Sequence, residues 1–205
     1  RDINNHSDLQ IVKLARDDQL DIAIDLNGYT ENARLSIFLY RLASIQINYL
    51  GFPGSLGSDS FDYIIADKIL IPKDKKRFYK EKILYLPNSF MPYDNKLKES
   101  KKSFSRKELG LPDNAFVFTC FNAIQKITSK ELHIWIRLLK NIEHSVLWLM
   151  EPNSVAINNV FYQFNKFGLK ENRVIFAKKM NRIDHLARSS CGDLFLDTFN
   201  FNAGT

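Results

Sequence analysis

Lys126 is the first residue whose type and position suggest chemistry. It stands a few residues after the apolar run AFVFTCFN and just before Thr128, where a helical pattern begins. A lysine beside a helix N-terminus can bind a diphosphate, because both supply positive charge. The small polar stretch NAGT near the end of the chain could offer backbone N–H groups and a hydroxyl to the same anion. Each motif also fits an ordinary surface loop, so neither specifies a phosphate site by itself.

A second candidate group lies in the stretch RIDHLAR. Arg182, His185 and Arg188 follow one another at three-residue spacing, which places them on one side of a short helix. A solvated basic helix is the simpler interpretation. The functional alternative is a face that stacks a base on His185 and hydrogen-bonds it through Arg188.

A third candidate is the uncharged stretch NYLGFPGSLG, residues 48–57, which lies between two strand-like runs. Its glycines, Gly51, Gly54 and Gly57, are three residues apart, and Pro53 stands between the first two. Glycine lets a backbone turn sharply and also lets another group approach it closely. The stretch is therefore either a tight strand connection or a floor for a ligand.

Residues that would ligate a metal are not grouped in this sequence. His6, His133 and His144 are isolated and share no carboxylate or cysteine spacing suited to zinc. Neither a Gly-x-Ser-x-Gly elbow nor a P-loop occurs, and no paired acids are spaced to hold Mg²⁺ or Mn²⁺ against a diphosphate. We therefore expect neither a metal nor a cofactor.

The composition indicates a cytoplasmic protein. Cys120 and Cys191 lie far apart without metal-ligand spacing, which is typical of reduced thiols. No apolar run approaches the roughly 20 residues that span a bilayer. The polar opening RDINNHSDLQ does not resemble a signal peptide. We expect no transmembrane segment.

The net charge of +6 is a local feature, since residues 67–108 carry 13 Lys and Arg against 6 Asp and Glu. A nucleic-acid footprint would need interleaved stacking aromatics, and here Phe78, Tyr79 and Phe104 are sparse. A solvated, lysine-rich connector is the interpretation we prefer, and we expect no nucleic-acid partner.

The elements that must position these residues alternate along the chain. Apolar strand-like runs are separated by helical patterns, two of which begin with capping boxes at Ser105–Glu108 and Thr128–Glu131. Strands this apolar predict parallel sheets covered on both faces, hence an α/β fold. We expect a first lobe over residues 1–90, a linker and entry helix over 91–112, and a second lobe over 113–205. The predicted strands are LDIAIDLNG, SIQINYLG, FDYIIADKILI, KILYLP, AFVFTCFN, SVLWLM, NRVIFA and GDLFLDT; the predicted helices are SDLQIVKLARDDQ, NARLSIFLYRLA, SRKELGLP, TSKELHIWIRLLKNI, AINNVFYQFNKFG and RIDHLARSS.

Taken in order, these loops resemble the catalytic region of the protein O-linked N-acetylglucosamine transferases, the family 41 glycosyltransferases, in its bacterial form. The resemblance rests on DLNGYTENAR, IQINYLGFPGSLGSDSFDYIIAD, FNAIQKI, SVLWLM, NRVIFAKKMNRIDHLAR and DLFLDTFNFNAGT. It implies a GT-B fold with two Rossmann-like lobes, both incomplete in this chain. It also implies inverting, metal-independent transfer of a sugar, expected to be N-acetylglucosamine, from a uridine-diphosphate sugar to Ser or Thr hydroxyls of proteins.

The resemblance assigns roles to individual residues. Lys126 would stabilise the leaving diphosphate, His185 would stack on uracil, Arg188 would lie beside the base and Arg182 near the ribose. The remaining substrate-binding residues fall into three groups. The phosphate turn and the residue beside it comprise Asn202, Gly204, Thr205 and Asn122; the sugar pocket comprises Leu50, Gly51, Pro53 and Gly54; and the acceptor cleft contains Arg34.

The sequence departs from the family pattern at Ala123, where the family has Gln or Asn, so one pyrophosphate or sugar contact is missing. The short linker 91–112 stands where animal enzymes carry a long domain. We expect a fragment, inactive alone, with helical repeats upstream in the full-length chain. Two alternatives are a non-catalytic nucleotide-sugar-binding relative, favoured by Ala123, and a GT-B enzyme acting on a lipid or polysaccharide, for which the basic segment 68–107 could touch a membrane surface.

Overall fold

The chain forms two compact units. A computed structural model describes residues 1–96 and 100–203, and it divides the chain into Arg1–Asn95 and Lys96–Thr205. The division falls inside the segment 91–112 that the sequence assigns to the linker. The described residues include no helix long and apolar enough to cross a bilayer.

The first unit is a four-stranded parallel sheet in the order β1-β2-β3-β4. Ser7 begins the first helix with a capping box, as its spacing from Gln10 allows. The helix predicted over NARLSIFLYRLA is a single turn, because no side chain caps its start and Arg41 adopts a positive φ directly after it. The elements are α1 (Asp8–Asp17), β1 (Ile22–Asp25), α2 (Ser36–Leu39), β2 (Ile45–Asn48), β3 (Tyr63–Ala66), a 3₁₀ turn (Lys73–Phe78) and β4 (Lys82–Tyr85).

The second unit is also a four-stranded parallel sheet, in the order β7-β6-β5-β8. The capping box predicted at Thr128 begins α3. SRKELGLP forms a 3₁₀ turn instead of an α-helix, although Ser105 and Glu108 make the predicted capping contacts. The elements are 3₁₀ turns at Lys107–Leu109, Ile124–Lys126, Glu171–Arg173 and Ser189–Cys191, with β5 (Phe116–Cys120), α3 (Ser129–Asn141), β6 (Ser145–Met150), α4 (Ser154–Lys166), β7 (Val174–Ala177), α5 (Arg182–Arg188) and β8 (Leu194–Phe195).

Strand β6 of the second sheet is buried on both faces, as its continuous apolar sequence predicts, whereas the edge strand β8 is exposed. On β6, Leu147 and Leu149 belong to the core under α3 and α4, whereas Val146 and Trp148 belong to the core of the opposite face. Successive side chains of a strand point to opposite faces, so a covered sheet needs apolar residues at every position. Cys120 and Cys191 are free and buried.

Parallel pairing brings the carboxyl ends of the strands to one edge of each sheet. In the first unit Asp25 pairs with Asn48, and in the second Cys120 pairs with Leu149. The loops that follow these strands therefore gather at the edge where ligands bind in open α/β sheets. Most candidate residues of the sequence lie in those loops, whereas Arg182, His185 and Arg188 lie on α5.

Candidate functional site

A cavity of about 570 Å³ opens in the second unit, a volume suited to a small-molecule ligand. It is lined by β5 and the loop after it, by α5 and the turn that follows, by β8, and by the end of the described chain. Its lining residues are Thr119, Phe121, Asn122, Ala123, Lys126, His185, Ser189, Gly192, Asp193, Leu194, Phe195 and Ala203. The structure thus brings together three of the predicted site residues, Asn122, Lys126 and His185.

Lys126 ends the 3₁₀ turn after β5 and places its ammonium group at this cavity. The Nζ atom donates to the carbonyl oxygen of Asn202 at 3.1 Å and lies 4.5 Å from the centre of the Phe201 ring. Within residues 1–96 and 100–203 no carboxylate forms an ion pair with it. The cation is therefore held in place by a carbonyl and a ring, and its charge is available to an anion.

The turn that carries Asn202 is organised by buried polar side chains. Asp197 accepts hydrogen bonds from the backbone N–H groups of Thr198 and Ala203, both at 2.8 Å, and from the Asn122 amide at 2.9 Å. The same amide donates to the hydroxyl of Thr198, which is fully buried and donates to the carbonyl of Phe201. Asn122 thus fixes the turn through hydrogen bonds to Asp197 and Thr198. The sequence predicted Asn122 as a substrate-binding residue and did not predict these contacts.

The pKa of Asp197 shows how firmly this turn is bonded. Burial alone would raise the pKa, but the hydrogen bonds from Ala203, Asn122, Thr198 and Asn202 outweigh burial and lower it. The carboxylate is therefore charged at neutral pH and can accept from all of these donors at once.

Glu131 connects the turn to the start of α3. One carboxylate oxygen accepts from the backbone N–H and the hydroxyl of Thr128, completing the capping box, and the other accepts from the N–H of Phe199 at 3.1 Å. The side chain is 1% exposed. The sequence predicts its capping contact, but its bond to a residue 68 positions away is a tertiary contact that no local pattern indicates.

His185 and Arg188 lie together on α5, but at different depths. His185 is half-buried at the cavity, with its ring 4.9 Å from that of Phe121. Arg188, which the resemblance places beside the base, is only 1% exposed and bonds to the His185 ring and to the carbonyl of Lys178. Arg182 is exposed at the first helical position. The three side chains therefore do not form one solvated face.

In the first unit, the loop after β2 packs directly on the loop after β1. The N–H of Gly51 donates to the carbonyl of Leu26 at 3.1 Å, and a Cβ on Gly51 would lie 2.3 Å from that carbonyl oxygen. Gly28 has φ +60°, and a Cβ added there would lie 2.4 Å from the Cβ of Phe52. Leu50 adopts φ +80°, a strained conformation for a bulky side chain. The two loops thus fix one another. This close packing explains why the stretch 48–57 has small, uncharged residues where the loops meet.

Three side chains form hydrogen bonds to this loop and stabilise it, and the sequence predicted this role for none of them. The Asn48 amide, which is buried, donates to the carbonyls of Phe52 and Gly54. The Tyr79 hydroxyl donates to the carbonyl of Pro53 at 3.2 Å. Glu81, 4% exposed, accepts from the Ser55 hydroxyl and the Leu56 N–H, both at 2.7 Å. In the sequence Glu81 stands among lysines, which indicates an exposed residue. Its burial depends on these two hydrogen bonds, because an unpaired carboxylate is rarely buried.

Arg34 lies in the first unit, and the described hydrogen bonds of its side chain are all directed to residues 3–8. It donates to the carbonyls of Ile3 and His6 and forms an ion pair with Asp8. The Ser36 hydroxyl and Arg34 together lower the pKa of Asp8. These contacts tie the start of the chain to α2. The structure does not join Arg34 by any described hydrogen bond to residues 50–57.

Two predicted residues, Gly204 and Thr205, lie outside the described residues. Ala123, where the sequence departs from the family pattern, is exposed and lines the cavity. No group of three or more His, Cys, Asp or Glu among residues 1–96 and 100–203 could hold a metal ion.

The chain is similar in sequence to known proteins of one family. The sequence model of glycosyl transferase family 41 matches residues 7–102 and 94–205. A probable UDP-N-acetylglucosamine–peptide N-acetylglucosaminyltransferase of Arabidopsis thaliana, SEC, is 32% identical over 202 residues, which are 96% of this chain and 21% of that protein. A second probable UDP-N-acetylglucosamine–peptide N-acetylglucosaminyltransferase, SPINDLY of Solanum lycopersicum, is 31% identical over 211 residues, covering 100% of this chain and 22% of that protein.

The fold agrees with this comparison. A mutant O-GlcNAc transferase of Thermobaculum terrenum superposes with a TM-score of 0.86 at 25% identity, over 99% of this chain and 38% of that one. The predicted α/β fold with two parallel sheets is thereby confirmed. The chain spans about a fifth of the length of the curated relatives it matches. The chain belongs to glycosyl transferase family 41.

Proposed function

We propose that this chain is part of the catalytic region of an enzyme that transfers N-acetylglucosamine from UDP-N-acetylglucosamine to Ser or Thr hydroxyls of proteins, with inversion and without a metal. The names of the relatives support the donor and the peptide acceptor. The observation that carries the proposal is Lys126, a cation without a carboxylate partner among the described residues, held at a cavity of suitable volume.

In this proposal the nucleotide occupies the cavity of the second unit. The diphosphate lies against Lys126 and the turn that contains Asn202, and Gly204 and Thr205 are proposed as further diphosphate-binding residues. The capping box of α3 already occupies the N–H of Thr128 through Glu131, so Lys126 supplies most of the positive charge at this point. As the bond to the sugar breaks, charge grows on the diphosphate, and a fixed cation stabilises that state more than the bound substrate.

The base and ribose lie near α5 in this proposal. His185 offers a half-buried ring at the cavity for stacking, and Arg182 is exposed at the helix start, where it could reach the ribose. Arg188, being buried, would act on the base through His185.

The loop after β2 is proposed to line the sugar pocket through Leu50, Gly51, Pro53 and Gly54. Its support is the fixed backbone: each of three carbonyls, at Phe52, Pro53 and Gly54, already accepts from a side chain behind the loop. A preorganised loop costs less conformational entropy when a ligand binds.

The proposed enzyme has a helical-repeat domain upstream and is cytoplasmic, and the short linker favours the bacterial form of the family. A non-catalytic nucleotide-sugar-binding relative is the second candidate, because Ala123 places a methyl group at the cavity where the family pattern has an amide. Turnover of UDP-N-acetylglucosamine with a Ser/Thr peptide by the intact protein distinguishes the two: binding without turnover favours the second candidate.

Nucleotide selectivity tests the proposed site. We expect the intact protein to bind uridine diphosphate more tightly than adenosine or guanosine diphosphate in calorimetry, because the family resemblance assigns His185 and Arg188 to recognition of uracil. His185→Ala should weaken uridine diphosphate binding and remove most of the selectivity. Equal affinity for the three nucleotides would contradict the assignment of His185 to the base.

Chelation tests the metal-independent chemistry. We expect turnover of the intact enzyme to be unchanged by EDTA, because Lys126 supplies the positive charge that a divalent cation gives the diphosphate in metal-dependent transferases. Activity lost in EDTA and restored by Mn²⁺ would refute this part of the proposal.

A further inference from the structure

Arg188 is a buried cation whose partners are unusual. Its side chain is 1% exposed, and within the described part of the chain it forms no ion pair with an acid. Burying an unpaired charge is costly, so the structure must fix it through other contacts. One of these is the carbonyl of Lys178, which accepts from Nη1 at 2.5 Å.

Besides the sulfur of Met150, which lies 3.8 Å from Nη2, the other polar partner is the ring of His185. Both Nε and Nη2 of Arg188 lie within hydrogen-bond distance of its Nδ1 atom, at 3.0 and 2.8 Å. A guanidinium group has only donors, so Nδ1 has to be the acceptor and cannot carry a proton. The ring proton therefore sits on Nε2, and the imidazole is neutral.

Aromatic rings complete the surroundings of Arg188. Its guanidinium carbon lies 5.0 Å from the centre of the Phe121 ring and 5.8 Å from that of Trp148. The centre of the Phe121 ring in turn lies 4.9 Å from the centre of the His185 ring. The cation thus lies against aromatic faces, which attract it electrostatically, while its N–H groups hold the histidine ring in one orientation.

The other charges near His185 do not favour a second proton on its ring. Asp184, its neighbour on α5, is paired with Lys102, and Asp193 at the cavity is paired with Arg106. Lys126, also at the cavity, is a cation. Burial and the charge of Arg188 lower the pKa of His185 below its usual value of 6.5.

We propose that Arg188 is a positioning residue which fixes His185 as the neutral Nε2–H tautomer and holds its ring as a preformed stacking face. Its consequence for nucleotide binding rests on the proposed function. A neutral ring in one orientation loses little entropy when a base stacks on it. Protonation would replace the acceptor of two hydrogen bonds by a donor facing a guanidinium group.

Nitrogen-detected NMR of the intact protein with ¹⁵N-histidine tests this without any nucleotide. At pH 7.5 we expect His185, assigned by its loss in His185→Ala, to show the Nε2–H pattern. In Arg188→Met, His185 should show a mixture of tautomers, and its ring should become protonated at a higher pH than in the parent. Arg188→Lys, which retains a charge and a donor, should restore much of the Nε2–H form. Arg182→Met, an exposed change on the same helix, should leave the tautomer as it is.

An Nδ1–H or charged His185 in the parent protein at pH 7.5 would overturn the proposal, and this measurement does not depend on any variant folding. An unchanged tautomer in folded Arg188→Met would overturn it as well. Calorimetry then tests the consequence: Arg188→Met should weaken uridine diphosphate binding on the order of tenfold, as expected for a disordered base stack. Absence of uridine diphosphate binding in the parent would instead refute the proposed function, while the tautomer result stands.

Discussion

Lys126→Ala in the intact enzyme should lose about 10²- to 10³-fold in kcat, roughly 3 to 4 kcal/mol, while substrate affinity falls much less. The reason is that the ammonium group is fixed by the Asn202 carbonyl and the Phe201 ring before charge develops on the diphosphate. A preorganised cation acts mainly on the transition state. Steady-state kinetics that separate kcat from KM measure the effect.

Two further variants define what Lys126 contributes. Lys126→Arg should recover little, because a planar guanidinium cannot reproduce a compact ammonium group at one carbonyl. Lys130→Ala removes an exposed lysine four residues away, on the first turn of α3, and should leave turnover unchanged. A kcat of Lys126→Ala within twofold of that of the parent would show that Lys126 is an ordinary surface lysine.

Gly51→Ala should destabilise the first unit by about 3 kcal/mol, the upper end of the range for overpacking. The added Cβ would lie 2.3 Å from the carbonyl oxygen of Leu26 and 2.8 Å from that of Asn27, and neither backbone group can rotate away as a side chain could. For a unit of this size the loss corresponds to a fall of about 10 °C or more in Tm. Turnover should fall with it, because the proposed sugar pocket is built on the displaced loop.

Gly57→Asn provides a matched control in the same loop. Gly57 has φ +66° and nothing within 4 Å of an added Cβ, and asparagine tolerates this conformation better than other residues. We expect a loss of about 1 kcal/mol or less. Gly51→Ala melting at the same temperature as Gly57→Asn would contradict the packing argument and would favour a purely ligand-facing role for Gly51.

Local patterns in the sequence predicted much of the fold. The helix start at Ser7, the capping box at Thr128 and the apolar strands lie where expected, because caps and strand periodicity depend on neighbours a few residues away. The predicted strand GDLFLDT is reduced to Leu194–Phe195, because the Asp197 and Thr198 side chains that follow are engaged in the turn.

Depth and distant contacts were not predictable. The spacing of RIDHLAR gives the angle of each side chain around a helix, but it does not show that Arg188 is buried beneath His185. Likewise Glu81 meets Leu56 across 25 positions of the chain, a contact set by the sheet and not by any local pattern. For the candidate site, the sequence therefore indicated the loops, while the structure revealed the residues that hold them.

The shared carboxylate of Glu131 has a further consequence. One oxygen closes the first turn of α3 and the other bonds to Phe199, so releasing either partner leaves a buried charge with fewer donors. We therefore expect local opening of the helix start and of residues 198–203 to be coupled. An anion that steadies the turn would equally slow the fraying of the helix, and a mutation that frays the helix would weaken the hold on the anion.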